Sequence, residues 1–316
     1  MTARRPTTVT GGSGFIGASV VDALVAAGHR VRVIDPRPPA RDDVEWLPVD
    51  VLDLDAVTEA LDGSGPVFHL AAMADVNDVI EQPARATEIN VVGTVNVLEA
   101  ARRAGAGRVI LASTVWVYGA TRGERVDETA TFDPDTNRHL YVTTKIAAEM
   151  ACRDYLTLYQ RPFTILRYGI PYGPRMRDNT VLASFFRRAL DGEPLRIDGD
   201  GRQLRNFVYV TDLARAHVLA LRPEAENLIV NVDGPEPVSI RRLAELTREL
   251  VPSVSVAFGP VRPGDLPPRV VVSDRAREVL GWAPEVGIDE GVRLTFAWYV
   301  GARAAAAAGS HGAVGG

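Results

Sequence analysis

Tyr141 and Lys145 are four positions apart in the run Tyr141-Val-Thr-Thr-Lys145, which is the spacing of one helical turn. On a helix, the phenol and the ammonium would lie on the same face. A nearby cation stabilises a phenolate and lowers the pKa of a tyrosine, so that the phenolate can take a proton from an alcohol while a hydride leaves the same carbon. Thr114, which follows the apolar run 109–112, would add a hydroxyl that binds the reacting oxygen. An exposed helix pair without chemistry is the alternative, because this tyrosine–lysine pattern occurs by chance in many helices.

A glycine-rich turn near the start of the chain offers a place for a hydride acceptor. It reads Thr10-Gly-Gly-Ser-Gly-Phe-Ile-Gly17 and stands between an apolar run, 7–10, and an amphipathic stretch, 15–27. The glycines that repeat at intervals of three are Gly11, Gly14 and Gly17. This spacing is a relative of the dinucleotide fingerprint, in which glycines allow a tight turn and a close approach of a diphosphate to a helix N-terminus. A glycine turn without a ligand is the alternative.

The next apolar run ends in an acid, in the sequence Arg30-Val-Arg-Val-Ile-Asp35. In a dinucleotide-binding fold, such an acid accepts hydrogen bonds from the adenosine ribose hydroxyls and repels a 2′-phosphate. Asp35 therefore favours NAD over NADP, although Arg37 is close enough in sequence to soften that preference. The alternative for Asp35 is a solvated loop aspartate.

Strand and helix patterns alternate through the first half of the chain, which predicts an α/β fold: a Rossmann-type, doubly wound parallel sheet. Ligands of such sheets bind at the carboxyl ends of the strands. The residues expected there are Thr10, Asp35, Asp50, Ala71, Ser113 and Thr114. His69, within the apolar run 67–72, is expected to be a structural core histidine rather than a catalyst.

The composition of the sequence changes after about residue 170, where prolines and glycines become frequent. We expect a nucleotide-binding domain over residues 1–170. A smaller, mixed α/β C-terminal lobe that binds the substrate is expected over 171–303, with its elements interleaved with the first domain. Residues 304–316, rich in alanine and glycine, are expected to form a flexible tail.

Composition excludes several classes of function. The 316-residue chain has a net charge of −5 and no basic block, so nucleic acid is not an expected partner. No apolar run reaches the roughly 18 residues of a membrane span, and we expect a cytoplasmic enzyme that contacts no membrane. Cys152 is the only cysteine and is expected to be a small core residue. No metal site is expected.

Taken together, the motifs resemble those of the extended short-chain dehydrogenase/reductases, specifically the NAD-dependent epimerase/dehydratase family, which acts on nucleotide sugars. The resemblance covers about residues 6–300. Its motifs are TGGSGFIG from Thr10, HLAA from His69, NVVGT from Asn90, STVWVYG from Ser113, YVTTK from Tyr141, YGP from Tyr172, GDGRQLRNFVYVTD from Gly199 and RPGD from Arg262.

The resemblance implies roles for individual residues. Thr114, Tyr141 and Lys145 would be catalytic. The NAD site would be lined by Gly11, Gly14, Phe15, Ile16, Gly17, Asp35, Asp50, Val51, Leu70, Ala71, Ala72, Asn90, Ser113, Tyr141, Lys145 and Tyr168. The nucleotide sugar would contact Trp116, Asn179, Thr180, Val181, Arg205, Arg262 and Asp265. For the two arginines, surface ion pairing is the alternative, and for Trp116 a core aromatic. A homodimer formed through the helices of 84–104 and 141–159 is also implied.

One position separates the reactions of the family. Its dehydratases and decarboxylases carry a glutamate three residues before the glycine of VYG, and this chain has Trp116 there. An indole is neither a general acid nor a general base. Dehydration and decarboxylation are therefore disfavoured, and epimerisation at C4 through a transient 4-keto sugar is the leading hypothesis. A ketoreductase or oxidoreductase, and a regulatory protein that only binds the cofactor, are the alternatives. Ile170 and Asn206 replace residues usual in the family and leave the sugar and the nucleotide open.

Overall fold

The computed structural model describes residues 5–121, 125–136, 139–260 and 270–311. In chain order, its strands are β1 (Thr7–Thr10), β2 (Val31–Ile34), β3 (Glu45–Leu47), β4 (Val67–His69), β5 (Val109–Thr114), β6 (Arg125–Val126), β7 (Phe163–Tyr168), β8 (Ile170–Tyr172), β9 (Leu195–Asp198), β10 (Leu204–Tyr209), β11 (Leu228–Val232), β12 (Pro237–Ser239), β13 (Val256–Gly259) and β14 (Val270–Val271). The α-helices are α1 (Phe15–Ala26), α2 (Leu54–Ala60), α3 (Val76–Glu81), α4 (Pro83–Thr87), α5 (Gly93–Arg103), α6 (Leu140–Tyr159), α7 (Val181–Leu190), α8 (Val210–Leu219), α9 (Ile240–Leu250) and α10 (Ile288–His311).

The chain forms two compact units, and each unit collects separate segments. The first unit comprises Met1–Gly169, Thr211–Asp233 and Arg269–Ala283. The second comprises Ile170–Val210, Gly234–Pro268 and Pro284–Gly316. Across the described ranges, we find no helix with the length and apolar character needed to span a bilayer.

A seven-stranded parallel sheet is the centre of the first unit. Its strand order is β11-β7-β5-β4-β1-β2-β3. The chain runs outward from β1 through β2 to β3, returns to β4, and then runs outward in the other direction. The order therefore reverses between β1 and β4, which is where open α/β sheets bind ligands. This confirms the Rossmann-type sheet that the alternating pattern predicts.

One apolar cluster of the first unit lies between this sheet and the helices α2, α5 and α6. All residues of β5 and β7 are buried, as expected for central parallel strands covered on both faces. Val97 of α5 and Ala148 of α6 pack into the same apolar cluster as Leu111 and Ile165 of these strands. Cys152 belongs to this cluster and is fully buried, in agreement with a core role. Helices α5 and α6 are thus held at fixed positions against the strands.

The second unit is smaller and mixed. A three-stranded sheet has the order β12-β10-β8, and β9 pairs in parallel with β13. Ser239 caps α9 by accepting a hydrogen bond from the N–H of Arg242. The helix α10 continues to His311, past the start of the expected flexible tail at residue 304, because a run of alanines has the highest helix propensity.

Candidate active site

The glycine turn closes tightly at the point where the strand order reverses. Gly11 has a φ of +71°, in the left-handed region, and a Cβ added there would lie 2.6 Å from the backbone N of Ala71, just beyond β4. A Cβ added at Gly17 would lie 2.0 Å from the carbonyl oxygen of Gly11. Gly14 is the N-cap of α1 and has no side chain to cap the first N–H groups of that helix. The backbone of the turn is therefore packed too closely for side chains at Gly11 and Gly17, and Gly14 leaves the first N–H groups of α1 uncapped, so the turn fits a dinucleotide diphosphate at the helix N-terminus.

Asp35 lies directly after β2, next to the same turn. Its side chain is nearly buried, and one oxygen accepts from the N–H of Ser13 at 3.1 Å. The other oxygen accepts from the N–H of Arg37 at 3.0 Å. The Arg37 side chain is mostly exposed, with Nε 3.8 Å from the carboxylate. The acid is therefore held firmly beside the glycine turn, as a residue that binds ribose hydroxyls would be.

The other residues expected at the cofactor differ in their exposure to solvent and in their hydrogen bonds. Asp50 is half-exposed and accepts from the N–H of Leu52. Val51 is buried, and its side chain belongs to the core cluster. Five apolar residues are partly exposed around the turns that follow β1 and β4, namely Phe15, Ile16, Leu70, Ala71 and Ala72. Asn90 is buried, and its side-chain amide is engaged with the backbone of Met73. Asn90 therefore holds the loop after β4.

The three expected catalytic residues all belong to the first unit. Thr114 is the last residue of β5, and its hydroxyl accepts from the N–H of Trp116 at 3.2 Å. Tyr141 and Lys145 lie one turn apart near the start of α6. The Lys145 Nζ donates to the carbonyl of Ala112 at 3.0 Å and lies 5.9 Å from the centroid of the Tyr141 ring. A cation and a phenol are thus side by side, close to the end of β5.

Burial determines the direction of the pKa shift of two groups around Tyr141, which are Lys145 and Tyr168. Lys145 is buried, and loss of solvent lowers its pKa to about 8, against an opposing effect of the negative charge on Glu149. Tyr168, the last residue of β7, is also buried, which raises its pKa, and a charge on Tyr141 adds to that rise. Tyr168 therefore stays neutral beside Tyr141, and Lys145 keeps its charge at neutral pH.

Three aromatic rings meet at Tyr141. Its centroid is 6.3 Å from that of Trp116 and 6.4 Å from that of His139, and the other two centroids are 5.7 Å apart. All three pairs are edge-to-face, with interplanar angles between 81° and 84°. Trp116 therefore packs against the phenol from the position at which the resemblance implies a glutamate in dehydratases and decarboxylases. Sequence reasoning missed His139, and its position two residues before the tyrosine is the only signal.

A buried ion pair lies behind the catalytic residues, and sequence reasoning missed it as well. Arg167 of β7 donates to Glu149 of α6 from Nε at 2.9 Å and from Nη2 at 2.6 Å, and both side chains are 1% exposed. Ser113 donates to the same carboxylate at 2.5 Å. The hydroxyl of Ser113, expected at the cofactor, is thus engaged with Glu149. An arginine inside an apolar strand was the available signal.

Apart from Trp116, the residues expected to bind the nucleotide sugar belong to the second unit. Thr180 is the N-cap of α7, accepting from the N–H of Ala183, and Val181 is the first residue of that helix. Asn179 is exposed just before it. Arg205 lies on β10, opposite Val238 of β12, and is partly exposed. Arg262 and Asp265 lie outside the described residues.

Known proteins resemble this chain over nearly its whole length. Residues 7–233 match the model of the NAD dependent epimerase/dehydratase family. The UDP-glucose 4-epimerase of Mycolicibacterium smegmatis is 33% identical over 93% of this chain and 98% of its own length. The UDP-N-acetyl-alpha-D-glucosaminuronate decarboxylase of Bacillus cytotoxicus is 32% identical over 92% of this chain and 96% of its own. The structure of the Thermus thermophilus UDP-glucose 4-epimerase in complex with NAD is 35% identical, with a TM-score of 0.84, covering 94% of this chain and 99% of that one.

Proposed function

Because the chain belongs to the NAD-dependent epimerase/dehydratase family, we propose that it is an NAD-dependent nucleotide-sugar epimerase that inverts the C4 carbinol. The observation that carries this proposal is the buried Lys145 beside Tyr141, bonded to Ala112 of the strand that ends at Thr114, with Trp116 where an acid would be needed for other chemistry. Similarity to 4-epimerases over more than nine-tenths of the chain supports it.

The chain's own residues move the proton and hold the sugar oxygen. NAD, when bound, would supply the hydride acceptor and donor for the carbinol carbon. Tyr141, as phenolate, takes the proton of the C4 hydroxyl, and the ammonium of Lys145 stabilises that phenolate. Thr114 offers its hydroxyl to the same oxygen, whether alcohol or ketone. Once the 4-keto sugar presents its other face, Tyr141 gives the proton back, and the product differs from the substrate only at that carbon.

Residues of the glycine turn would hold the cofactor. A Cβ at Gly11 or Gly17 would clash with the backbone of the turn, so these glycines keep the turn closed, and Gly14 leaves the N-terminus of α1 open to the diphosphate. Asp35 would bind the ribose hydroxyls and disfavour a 2′-phosphate, which supports NAD over NADP. In the second unit, Arg205 and the start of α7 would contact the nucleotide, with a guanidinium suited to a diphosphate.

Two other reactions compete with epimerisation. Net oxidation or reduction of a sugar uses the same three residues, and it consumes or produces NADH in proportion to product. Decarboxylation is favoured by the similarity to a decarboxylase. The indole of Trp116 cannot act as an acid or base, and this argues against a reaction that needs a carboxylate there.

Purified protein incubated with a panel of UDP-, dTDP-, GDP- and CDP-sugars tests the proposal. Epimerisation gives a product of unchanged mass that separates chromatographically from the substrate, without net NADH. A product of lower mass would identify dehydration or decarboxylation. NADH formed or consumed stoichiometrically would identify an oxidoreductase, and bound NAD without any turnover would indicate a protein that lost catalysis.

We further propose a homodimer formed through α5 and α6. Met150, Leu158 and Tyr159 of α6 are apolar yet exposed, as is Val92 before α5. Such a surface suits a second copy of the chain. Light scattering at micromolar concentration should give the mass of a dimer, and Leu158→Glu should reduce it to that of a monomer. Leu294→Glu, at an exposed leucine of α10, is the matched control and should leave the dimer intact.

We place the enzyme in the cytoplasm. The free thiol of Cys152, buried in the core, is compatible with a reducing compartment. Fractionation of cells that express the chain would test this placement, and recovery with the membrane fraction would contradict it.

A further inference from the structure

His69 connects two parts of the first unit that the proposed reaction needs. It is the last residue of β4 and is 2% exposed. Its Nδ1 lies 2.8 Å from Oγ1 of Thr10, the last residue of β1 before the glycine turn. Its Nε2 lies 3.0 Å from Oγ1 of Thr94 in the first turn of α5. Each ring nitrogen is therefore within hydrogen-bond distance of one buried hydroxyl.

The neighbouring bonds fix which nitrogen of His69 carries the hydrogen. Thr94 donates its single hydroxyl hydrogen to the carbonyl of Asn90, at 2.6 Å. Oγ1 of Thr94 can then only accept from His69, which requires an N–H at Nε2. Burial, with a contribution from the charge of Lys145, lowers the pKa of His69 to about 3, so the ring is neutral. Nδ1 consequently accepts from the hydroxyl of Thr10.

The bonds from Thr10 through His69 to Thr94 form a buried hydrogen-bond path. Asn90 extends this path to α6, the helix that carries Tyr141. Its Oδ1 accepts from the N–H of Met73 at 2.8 Å, while Nδ2 donates to the carbonyl of Met73 at 2.9 Å and to Oγ1 of Thr144 at 3.1 Å. Thr144 donates its own hydrogen to the carbonyl of Tyr141 at 2.8 Å. Asn90 lies in a π-helical turn, Glu88–Val92, a conformation found frequently at functional sites. Every donor in the path thus has a defined acceptor.

We propose that His69 is a positioning residue for Tyr141: as a neutral Nε2–H ring between Thr10 and Thr94, it fixes the first turn of α6 relative to the glycine turn. The five side chains of the path, Thr10, His69, Asn90, Thr94 and Thr144, are at most 2% exposed. No solvent reaches them to replace a missing partner, so a break in the path leaves a buried group unsatisfied. The kinetic part of this inference rests on the proposed epimerase function, whereas the tautomer does not.

Nuclear magnetic resonance of the protein labelled with ¹⁵N-histidine tests the tautomer in the parent chain. We expect His69, assigned by comparison with His69→Gln, to show the Nε2–H pattern without titrating between pH 8 and about pH 5, a range in which an ordinary histidine titrates. An Nδ1–H pattern, or a titration in that range, would overturn the inference. This measurement is made on the parent chain without substrate, and His69→Gln serves only to assign the signal.

Thr94→Val tests the path itself, since valine keeps the shape of threonine and removes the hydroxyl. We expect His69 to change to the Nδ1–H tautomer, donating to Thr10, and the ring resonances of Tyr141 to shift. With a nucleotide sugar that the parent epimerises, kcat should fall roughly 10- to 100-fold, as expected for a misplaced base, with little change in KM. Thr94→Ser, which keeps the hydroxyl, should restore the parent values.

Thr247→Val is the matched control. Thr247 is fully buried in α9 and donates to the carbonyl of Leu243 at 2.9 Å, the same four-residue bond that Thr94 makes. Loss of the Thr247 hydroxyl should lower the stability of the protein without changing kcat or the Tyr141 resonances. Equal effects of the two valine variants on kcat would overturn the inference. A parent chain that turns over no nucleotide sugar would instead refute the proposed function, and the tautomer and Tyr141 resonances would then decide the role of His69.

Discussion

The ammonium of Lys145 lies 5.9 Å from the centre of the Tyr141 ring, one turn away on α6, and the lysine side chain is almost completely buried. The charge is retained there although burial opposes it, and the hydrogen bond to the carbonyl of Ala112 holds it in place. Several consequences of this pair can be measured.

Tyr141→Phe removes the proposed base and keeps the ring that packs against Trp116 and His139. We expect kcat to fall by about 10²- to 10⁴-fold, the usual contribution of a general acid–base group. Thermal unfolding and bound NAD should match the parent. Turnover by the variant at the parent rate would exclude Tyr141 as the base.

The activity should depend on pH through Lys145. Burial lowers its pKa to about 8, so the ammonium that stabilises the phenolate is lost as the pH rises through that value. We expect kcat, measured at saturating nucleotide sugar, to decrease above about pH 8. A rate that stays level up to pH 10 would mean that the charge of Lys145 is not required.

Lys145→Met should inactivate the enzyme and yet stabilise it at neutral pH. The unfolded chain, in which lysine has its ordinary pKa of 10.5, binds more protons than the folded chain between about pH 8 and 10.5. The parent therefore gains stability as the pH rises across this window. Methionine has no charge to bury, so the Tm of the variant should exceed that of the parent at neutral pH, and the difference should narrow toward pH 10. A difference that is independent of pH would contradict this explanation.

Glu149→Gln should destabilise the first unit strongly. It leaves the guanidinium of Arg167 buried without its anion, which typically costs about 3–5 kcal/mol. Asp274→Asn breaks the exposed pair with Arg277 and serves as the control, with an expected cost below about 1 kcal/mol. Urea unfolding of both variants would make the comparison, and similar midpoints would show that the buried pair is dispensable.

Gly17→Ala should abolish retention of NAD and lower the Tm, because the new Cβ would lie 2.0 Å from the carbonyl of Gly11. The control is Gly301→Ala in α10, where an added Cβ meets nothing within 4 Å and should stabilise the helix by about 0.5–1 kcal/mol. Absorbance of the cofactor in the purified proteins would report retention. Normal NAD content in Gly17→Ala would contradict a close approach at the glycine turn.

Local sequence patterns were enough to predict the parallel sheet, the glycine turn, Asp35 beside it and the shared helix face of Tyr141 and Lys145. Each follows from a few consecutive residues, because turn geometry and the helical period are local properties. The expectation of a core role for His69 came from the same kind of pattern. The pattern could not show that both ring nitrogens are bound.

Only the tertiary structure pairs Glu149 with Arg167, 18 residues apart, and seats His69 between Thr10 and Thr94, 59 and 25 residues away. These contacts depend on the register of neighbouring strands and on how α5 and α6 lie against the sheet, and no spacing along the chain encodes them. The sequence by itself determined which groups could carry out the chemistry. Folding decided which buried partners hold those groups, because a desolvated polar atom must find its partner wherever packing places one.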